Sequence, residues 1–236
     1  MTEILAGPGG KHAWPSILLA RAGATDPTDL DAAVKAGAFA GLRRAIEELR
    51  EAGTVEAVAA SGLRGRGGAG YRAGDKWRAA ADADAPRKYV VANGYGADPA
   101  VFTDRLLMER DPYAVVEGAA IAAFAIGASE AIIALRAEAT AAVTAVEAAV
   151  AAAEEAGFIG PGAFGPGRDL SVTIRTVQGA YMLGEETVLL KALEGKRGQP
   201  EQRPPYPTER GLFGAPTLVH NVQTLAAIPW IVVNGA

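Results

Sequence analysis

Between residues 86 and 190, short β-branched runs alternate with long alanine-rich stretches, and this alternation constrains the chain more than any other feature. Residues 88–92 (Lys-Tyr-Val-Val-Ala) and 130–136 (Glu-Ala-Ile-Ile-Ala-Leu-Arg) read as strands. Residues 170–176 alternate Leu, Val and Ile with Ser, Thr and Arg, which predicts a half-buried strand. Helices are expected over 112–128 and over 140–156, the second with Val143, Val146 and Val150 on one stripe. Strands separated by helices pair side by side through crossovers, so the expected fold is α/β, with a mostly parallel sheet flanked by helices.

The flanks are less regular. Residues 1–25 are rich in Gly and Pro and read as an extended lead-in. Residues 29–53 read as helical, with Asp29 as cap and Phe39, Leu42, Ile46 and Leu49 at helical spacing; Gly37 and Gly41 divide the stretch in two. Thr54 is expected to cap a short helix over 55–60. A further helix starts at Gly184, a loop fills 195–207, and 217–233 reads as a final helical stretch broken by Pro229. The expected division is a small extended and helical N-terminal segment, 1–60, followed by an α/β domain, 61–236.

The chain has 236 residues, 50% of them hydrophobic, enough to bury a core. Lys and Arg number 23 against 27 Asp and Glu, a net charge of −4, which argues against a nucleic-acid binder. Cysteine is absent, so no disulfide, thiolate metal site or iron–sulfur cluster can be built from this sequence. With two histidines, His12 and His220, a His-rich metal site is not expected either. The apolar run 118–128 is too short to cross a bilayer, and no basic, apolar leader is present. The expected location is the cytoplasm, without membrane insertion.

The segment 61–71, Ser-Gly-Leu-Arg-Gly-Arg-Gly-Gly-Ala-Gly-Tyr, carries five glycines in the nine residues from Gly62 to Gly70. Residues Gly65, Arg66, Gly67, Gly68, Ala69 and Gly70 satisfy G-x-G-x-x-G, but the segment before them reads as helix rather than strand. No acid follows about twenty residues on, so the Rossmann fingerprint fails in its context. The physical content remains. Closely spaced glycines let backbone N–H groups approach a ligand, and such clusters cradle anions. Arg64, Arg66, Arg72 and Lys76 add positive charge, which suits a diphosphate or a nucleotide phosphate. Tyr71 and Trp77 are candidates for stacking on a ring. The competing reading is a plain surface loop with packed aromatics.

Two more constellations accompany the loop. In 179–187 (Gly-Ala-Tyr-Met-Leu-Gly-Glu-Glu-Thr) a strand end leads through glycines to two carboxylates at a helix start, a ligand-binding arrangement at the carboxyl edge of a sheet. Glutamates there also suit the helix dipole without any ligand. In 216–224 small polar side chains stand beside a helix start that can hold a phosphate. His220 there reads equally as a buried, hydrogen-bonded histidine.

Together these stretches, with Asp26-Pro27, residues 36–39, Asp111-Pro112, 193–198, 204–207 and 221–227, resemble the NADH-oxidising, FMN-binding subunit of respiratory complex I. The same module occurs in NAD-linked hydrogenases and formate dehydrogenases. The resemblance covers nearly the whole chain and implies a Rossmann-like domain holding FMN, with NADH stacked on the flavin. NADH would pass hydride to FMN, and electrons would leave to a separate iron–sulfur or thioredoxin-like ferredoxin subunit, either in the cytoplasm or peripheral to a membrane complex. The resemblance implies that 65–70 approach flavin and dinucleotide, that Tyr71 and Tyr206 pack on the adenine, and that Lys76 sits in the nucleotide pocket. Asn93 would reach the flavin. Tyr181, Gly184, Glu185 and Glu186 would line the nicotinamide side, with Glu186 and Tyr181 catalytic. His220 and Asn221, beside Val219, fall where a pair of asparagines usually holds the FMN phosphate.

This sequence departs from the family in two places. After Asn93 the relatives continue Ala-Asp-Glu-Ser-Glu-Pro, whereas here Gly94-Tyr95-Gly96-Ala97-Asp98-Pro99 follows, and Asp98 alone keeps a carboxylate. Tyr95, bulkier than the residue it replaces, is expected to obstruct or restack the pocket. In the relatives a ubiquitin-like domain and a cluster-bearing helical domain follow the point where this sequence ends. These departures keep two alternatives open: a non-catalytic or truncated relative acting in binding or assembly, and a nucleotide-binding protein of another class.

Overall fold

The computed structural model of the chain describes residues 17–235. Four strands, β1 (Tyr89–Gly94), β2 (Glu130–Arg136), β3 (Ser171–Val177) and β4 (Thr217–Asn221), form one sheet in the order β3-β2-β1-β4. All three pairings are parallel. The helices are α1 (Leu30–Lys35), α2 (Ala40–Arg44), α3 (Arg50–Ala60), α4 (Ala73–Asp82), α5 (Thr103–Arg110), α6 (Pro112–Ile126), α7 (Thr140–Glu155), α8 (Glu186–Leu193) and α9 (Val222–Asn234). The parallel sheet with flanking helices is therefore as the alternation predicts.

Side chains alternate across the sheet with period two. Val90 and Ala92 of β1 face the larger core, packed by α6, α9 and the N-terminal helices. Tyr89 and Val91 face a smaller core closed by α8 and Leu212. α6 lies at the centre of the larger core, and all fifteen of its residues are buried. Its composition explains this, since a helix apolar all round must be covered all round. Asp111 caps it by accepting from the amide of Ala114, Pro112 fills its first turn, and Gly127 ends it at φ +73°.

The contact between α6 and α9 depends on one glycine. A Cβ on Gly118 would lie 2.1 Å from the carbonyl oxygen of Leu225. Leu225 stands four residues before Pro229, so its carbonyl has no intrahelical donor. The helices thus meet backbone to backbone where α9 lacks a hydrogen bond. Pro229 does not break α9, contrary to expectation; it sits against Gly41 of α2, where an added Cβ would come within 3.0 Å of the Pro229 Cα.

Other expectations also need correction. Residues 217–221 are not helix but the edge strand β4, whose Thr217, Leu218 and Val219 pair with Tyr89, Val90 and Val91. Thr54 is no cap: it lies inside α3 and donates its hydroxyl to the Arg50 carbonyl at 2.6 Å. The lead-in expected over 1–25 lies outside the described residues up to residue 16, and 17–25 form turns rather than an extended run. Those turns are held by Arg21, which pairs with buried Asp111 at 3.1 Å.

Candidate functional site

The order β3-β2-β1-β4 places a topological switch point between β1 and β4, because the chain leaves β1 toward β2 on one side and β4 returns on the other. Crevices outside the carboxyl ends at such points are where open parallel sheets bind ligands. Here β1 ends at Asn93-Gly94 and β4 at His220-Asn221, with Asn93 opposite Asn221 in the register. A cavity of about 590 Å³ opens at this edge.

The glycine loop forms one wall. It is closed at its base by Gly65 N to Tyr71 O at 2.8 Å and Ala73 N to Leu63 O at 2.8 Å. The Arg66 amide donates to Thr224 Oγ1 of α9 at 2.9 Å, tying the loop to the helix after β4. The amides of Gly67, Gly68, Ala69 and Gly70 take no acceptor among the described residues. Gly68 at φ +111° and Gly70 at φ +64° hold backbone conformations that side-chain-bearing residues rarely adopt. The loop therefore presents unpaired donors to an anion.

The opposite wall is charged. Glu185 caps α8, accepting from Thr187 N at 2.9 Å and Val188 N at 3.0 Å, and it also pairs with Arg203. Glu186 accepts from Lys76 Nζ at 2.6 Å and from Arg203 Nη1 at 3.2 Å. Lys76 also donates to the Val219 carbonyl at 2.8 Å. An alternating chain of charge, Lys76, Glu186, Arg203, Glu185, thus links the α4, α8 and 195–207 segments around the opening. Tyr71 and Tyr206, both more than half exposed, stand along the same cavity.

The floor is polar and tightly held. The Asn93 amide donates to the Gly184 carbonyl at 3.0 Å, and its oxygen accepts from Tyr95 N at 3.2 Å. Asn221 caps α9 through Gln223 N at 2.9 Å and donates to buried Asp104 at 2.6 Å. Burial raises the Asp104 carboxyl, while its bonds from Gln223 and Asn221 oppose the rise. His220 is buried and accepts from the Trp77 indole at 2.9 Å. Burial, with the Lys76 ammonium beside it, pushes the imidazole down to about 3.

Most of the expected site converges on this cavity. Gly65, Gly67, Ala69, Gly70, Tyr71, Lys76, Asn93, Gly184, Glu185, Glu186, Tyr206, Val219, His220 and Asn221 line it. Arg66, Gly68, Asp98 and Tyr181 are not among its lining residues. Arg66 contributes its amide to Thr224 instead, Asp98 turns back on the Ala100 amide, and Tyr181 stands 70% exposed on a 3₁₀ turn, Tyr181–Gly184. Trp77 is not available for stacking, since it is fully buried. Tyr95 does not enter the cavity: it is buried in the smaller core, its hydroxyl donates to the Gly179 carbonyl, and Arg136 covers its ring at 5.5 Å. Arg203 and Thr224 escape the sequence reading. A basic residue one position before Pro204-Pro205-Tyr206 was the available signal for Arg203, whereas nothing local marks Thr224.

The sequence and fold match known proteins across this site. The description "Nuo51 FMN-binding domain" matches residues 58–230, from the end of α3 into α9. The chain belongs to the Nuo51 FMN-binding domain family. The second F-type subunit of the NADH-quinone oxidoreductase of Rhizobium meliloti (strain 1021) is 44% identical over 200 residues, 85% of this chain and 48% of that protein. The F-type subunit of the Aquifex aeolicus (strain VF5) NADH-quinone oxidoreductase is 41% identical over 93% of this chain and 51% of its own length. The NADP-reducing hydrogenase subunit HndC of Solidesulfovibrio fructosivorans is 41% identical over 91% of this chain and 43% of its own. Among solved structures, the NAD+-reducing [NiFe]-hydrogenase in the H2-reduced state aligns with a TM-score of 0.77 and 38% identity, over 84% of this chain and 33% of that one. The Nuo51 domain described here spans about half the length of the curated relatives it matches.

Proposed function

We propose that this chain is the flavin-holding NADH dehydrogenase module of a larger oxidoreductase, with FMN and NADH as its ligands. One observation carries the reading: unpaired loop amides, a lysine, two glutamates and two aromatics, drawn from separate segments, meet at one cavity on the switch point of the sheet. The residues present fit a phosphorylated, aromatic ligand. Four open amides suit phosphate oxygens, and Tyr71 and Tyr206 offer ring faces. Family membership, and relatives named as NADH-quinone oxidoreductase subunits, support the same reading.

Bound FMN supplies the redox chemistry, taking a hydride's two electrons and returning them singly. The chain's own residues do the rest. Gly67, Gly68, Ala69 and Gly70 hold phosphate through backbone amides. Asn93 and Gly184, bonded to each other, fix the distance between the β1 end and the α8 start. Glu186, held by Lys76 and Arg203, orients the nicotinamide side, while Tyr181 closes over it from the 3₁₀ turn. Tyr71 and Tyr206 cover the adenine. Electrons leave to a separate iron–sulfur or ferredoxin-like subunit, in a cytoplasmic complex or one peripheral to a membrane. Among the described residues no helix is long and apolar enough to cross a membrane.

The test is direct. The purified chain, loaded with FMN, should show a flavin absorbance band that NADH bleaches without oxygen. A colourless protein that takes up no added FMN would overturn the proposal.

A further inference from the structure

The cavity floor contains a buried pair that the binding scheme above does not use in full. Trp77, fully buried on α4, donates its indole N–H to Nε2 of His220 at 2.9 Å. An indole nitrogen only donates, so Nε2 must accept. A neutral imidazole whose Nε2 accepts carries its proton on Nδ1. Protonating Nε2 would set two donors against each other, and the Lys76 ammonium nearby adds repulsion to any imidazolium.

Nδ1 has no partner among the described residues, yet it is not among their closed-off unpartnered atoms, which are Tyr113 Oη and Glu117 Oε2. His220 also lines the cavity. The neighbouring donors are already engaged. Asn221 caps α9 with its oxygen and gives a hydrogen to Asp104, and Lys76 binds Glu186 and the Val219 carbonyl.

We infer that Trp77 is a positioning residue that locks His220 as the Nδ1–H tautomer, so that an uncharged imidazole N–H is offered to a phosphate oxygen of the coenzyme in the cavity. The inference rests on the function proposed above. A neutral donor binds an anion here without repelling Lys76, which an imidazolium would do. It also does not switch off as the medium becomes more alkaline.

Long-range ¹H–¹⁵N correlation of the imidazole in the ¹⁵N-labelled full chain, with His220→Asn for assignment, reads the tautomer without any ligand. The expected pattern is neutral Nδ1–H from pH 5 to 8. An Nε2–H tautomer or an imidazolium at pH 7 overturns the role of Trp77. Equilibrium dialysis with FMN reads the donor role. His220→Leu should weaken FMN by about tenfold, while His220→Asn, which keeps a side-chain N–H, should stay within about threefold of the wild type. Trp77→Phe, checked for folding by circular dichroism, should mix the tautomers and weaken FMN. His220→Leu binding as tightly as the wild type overturns the donor role. A wild type that binds no FMN overturns the functional proposal and the donor role together, and the spectrum still decides whether Trp77 sets the tautomer.

Discussion

Two fully buried ionisable side chains pull the stability of this protein in opposite directions with pH. Glu117 in α6 accepts from the Leu42 amide at 3.1 Å, its other oxygen has no partner, and burial raises its carboxyl to about 7. The folded state therefore holds this proton more tightly than the unfolded chain. Its stabilising effect is complete below the ordinary carboxyl range, near 4.5, and is lost as pH rises toward 7. Glu117→Gln removes that loss, so urea melts should show the variant gaining on the wild type by on the order of 2–3 kcal/mol between pH 4.5 and 8. A constant difference across that range would show that Glu117 does not titrate there.

His220 behaves in the opposite sense, because its folded value is depressed. The stability tied to its neutral form is present above about 6.5 and is lost as pH falls toward 3. His220→Asn should flatten the acid limb of the stability curve, and melts between pH 7 and 4 check this. At this scale the sequence is legible in part. The glycines, Lys76 and the Glu185-Glu186 pair announce themselves by type and spacing. Trp77 is misread as a stacking surface because a sequence shows that an indole is apolar and flat, not that its N–H has found an imidazole 143 positions away.

At the scale of elements, close approach between helices is the most sensitive feature. Gly118→Ala would place a methyl carbon 2.1 Å from the Leu225 carbonyl, so α6 and α9 must separate. The expected loss is about 3 kcal/mol, measured by urea denaturation. A loss under about 1 kcal/mol would mean that the two helices slide apart freely. The charged arc behaves differently. Lys76, Glu186, Arg203 and Glu185 are partly exposed, so Arg203→Ala should change stability by less than about 1 kcal/mol. Because Arg203 lines the cavity, the same variant should weaken NADH binding about tenfold in a titration of the FMN-loaded protein.

The elements themselves were readable where a period was long and clear. β2, α6 and α7 fall within two residues of their expected bounds. β4 was not readable, because Thr217–Asn221 is a short apolar run continuous with a longer helical one, and only pairing with β1 makes it a strand. α4 went unread because its alanines and charges form no apolar stripe, and what holds it is Gly74 against Ala59 of α3, where an added Cβ would meet the Ala59 Cα at 2.4 Å.

For the whole molecule, ligand binding and folding are coupled. FMN at about one hundred times its dissociation constant should stabilise the fold by about 2.7 kcal/mol, a rise in Tm of about 5–10 °C for a chain of this size. Differential scanning calorimetry with and without FMN reads it, and no shift at saturating FMN would contradict the proposed site.

Lys76 and Glu186 face each other across 110 positions of chain. Neither half of the polypeptide owns the crevice, so an excised N-terminal or C-terminal piece should bind no coenzyme alone. Two complementary pieces, cut in the 158–168 turn region and mixed, should recover binding only by docking into the intact sheet, and coenzyme capture would then report fragment reassembly.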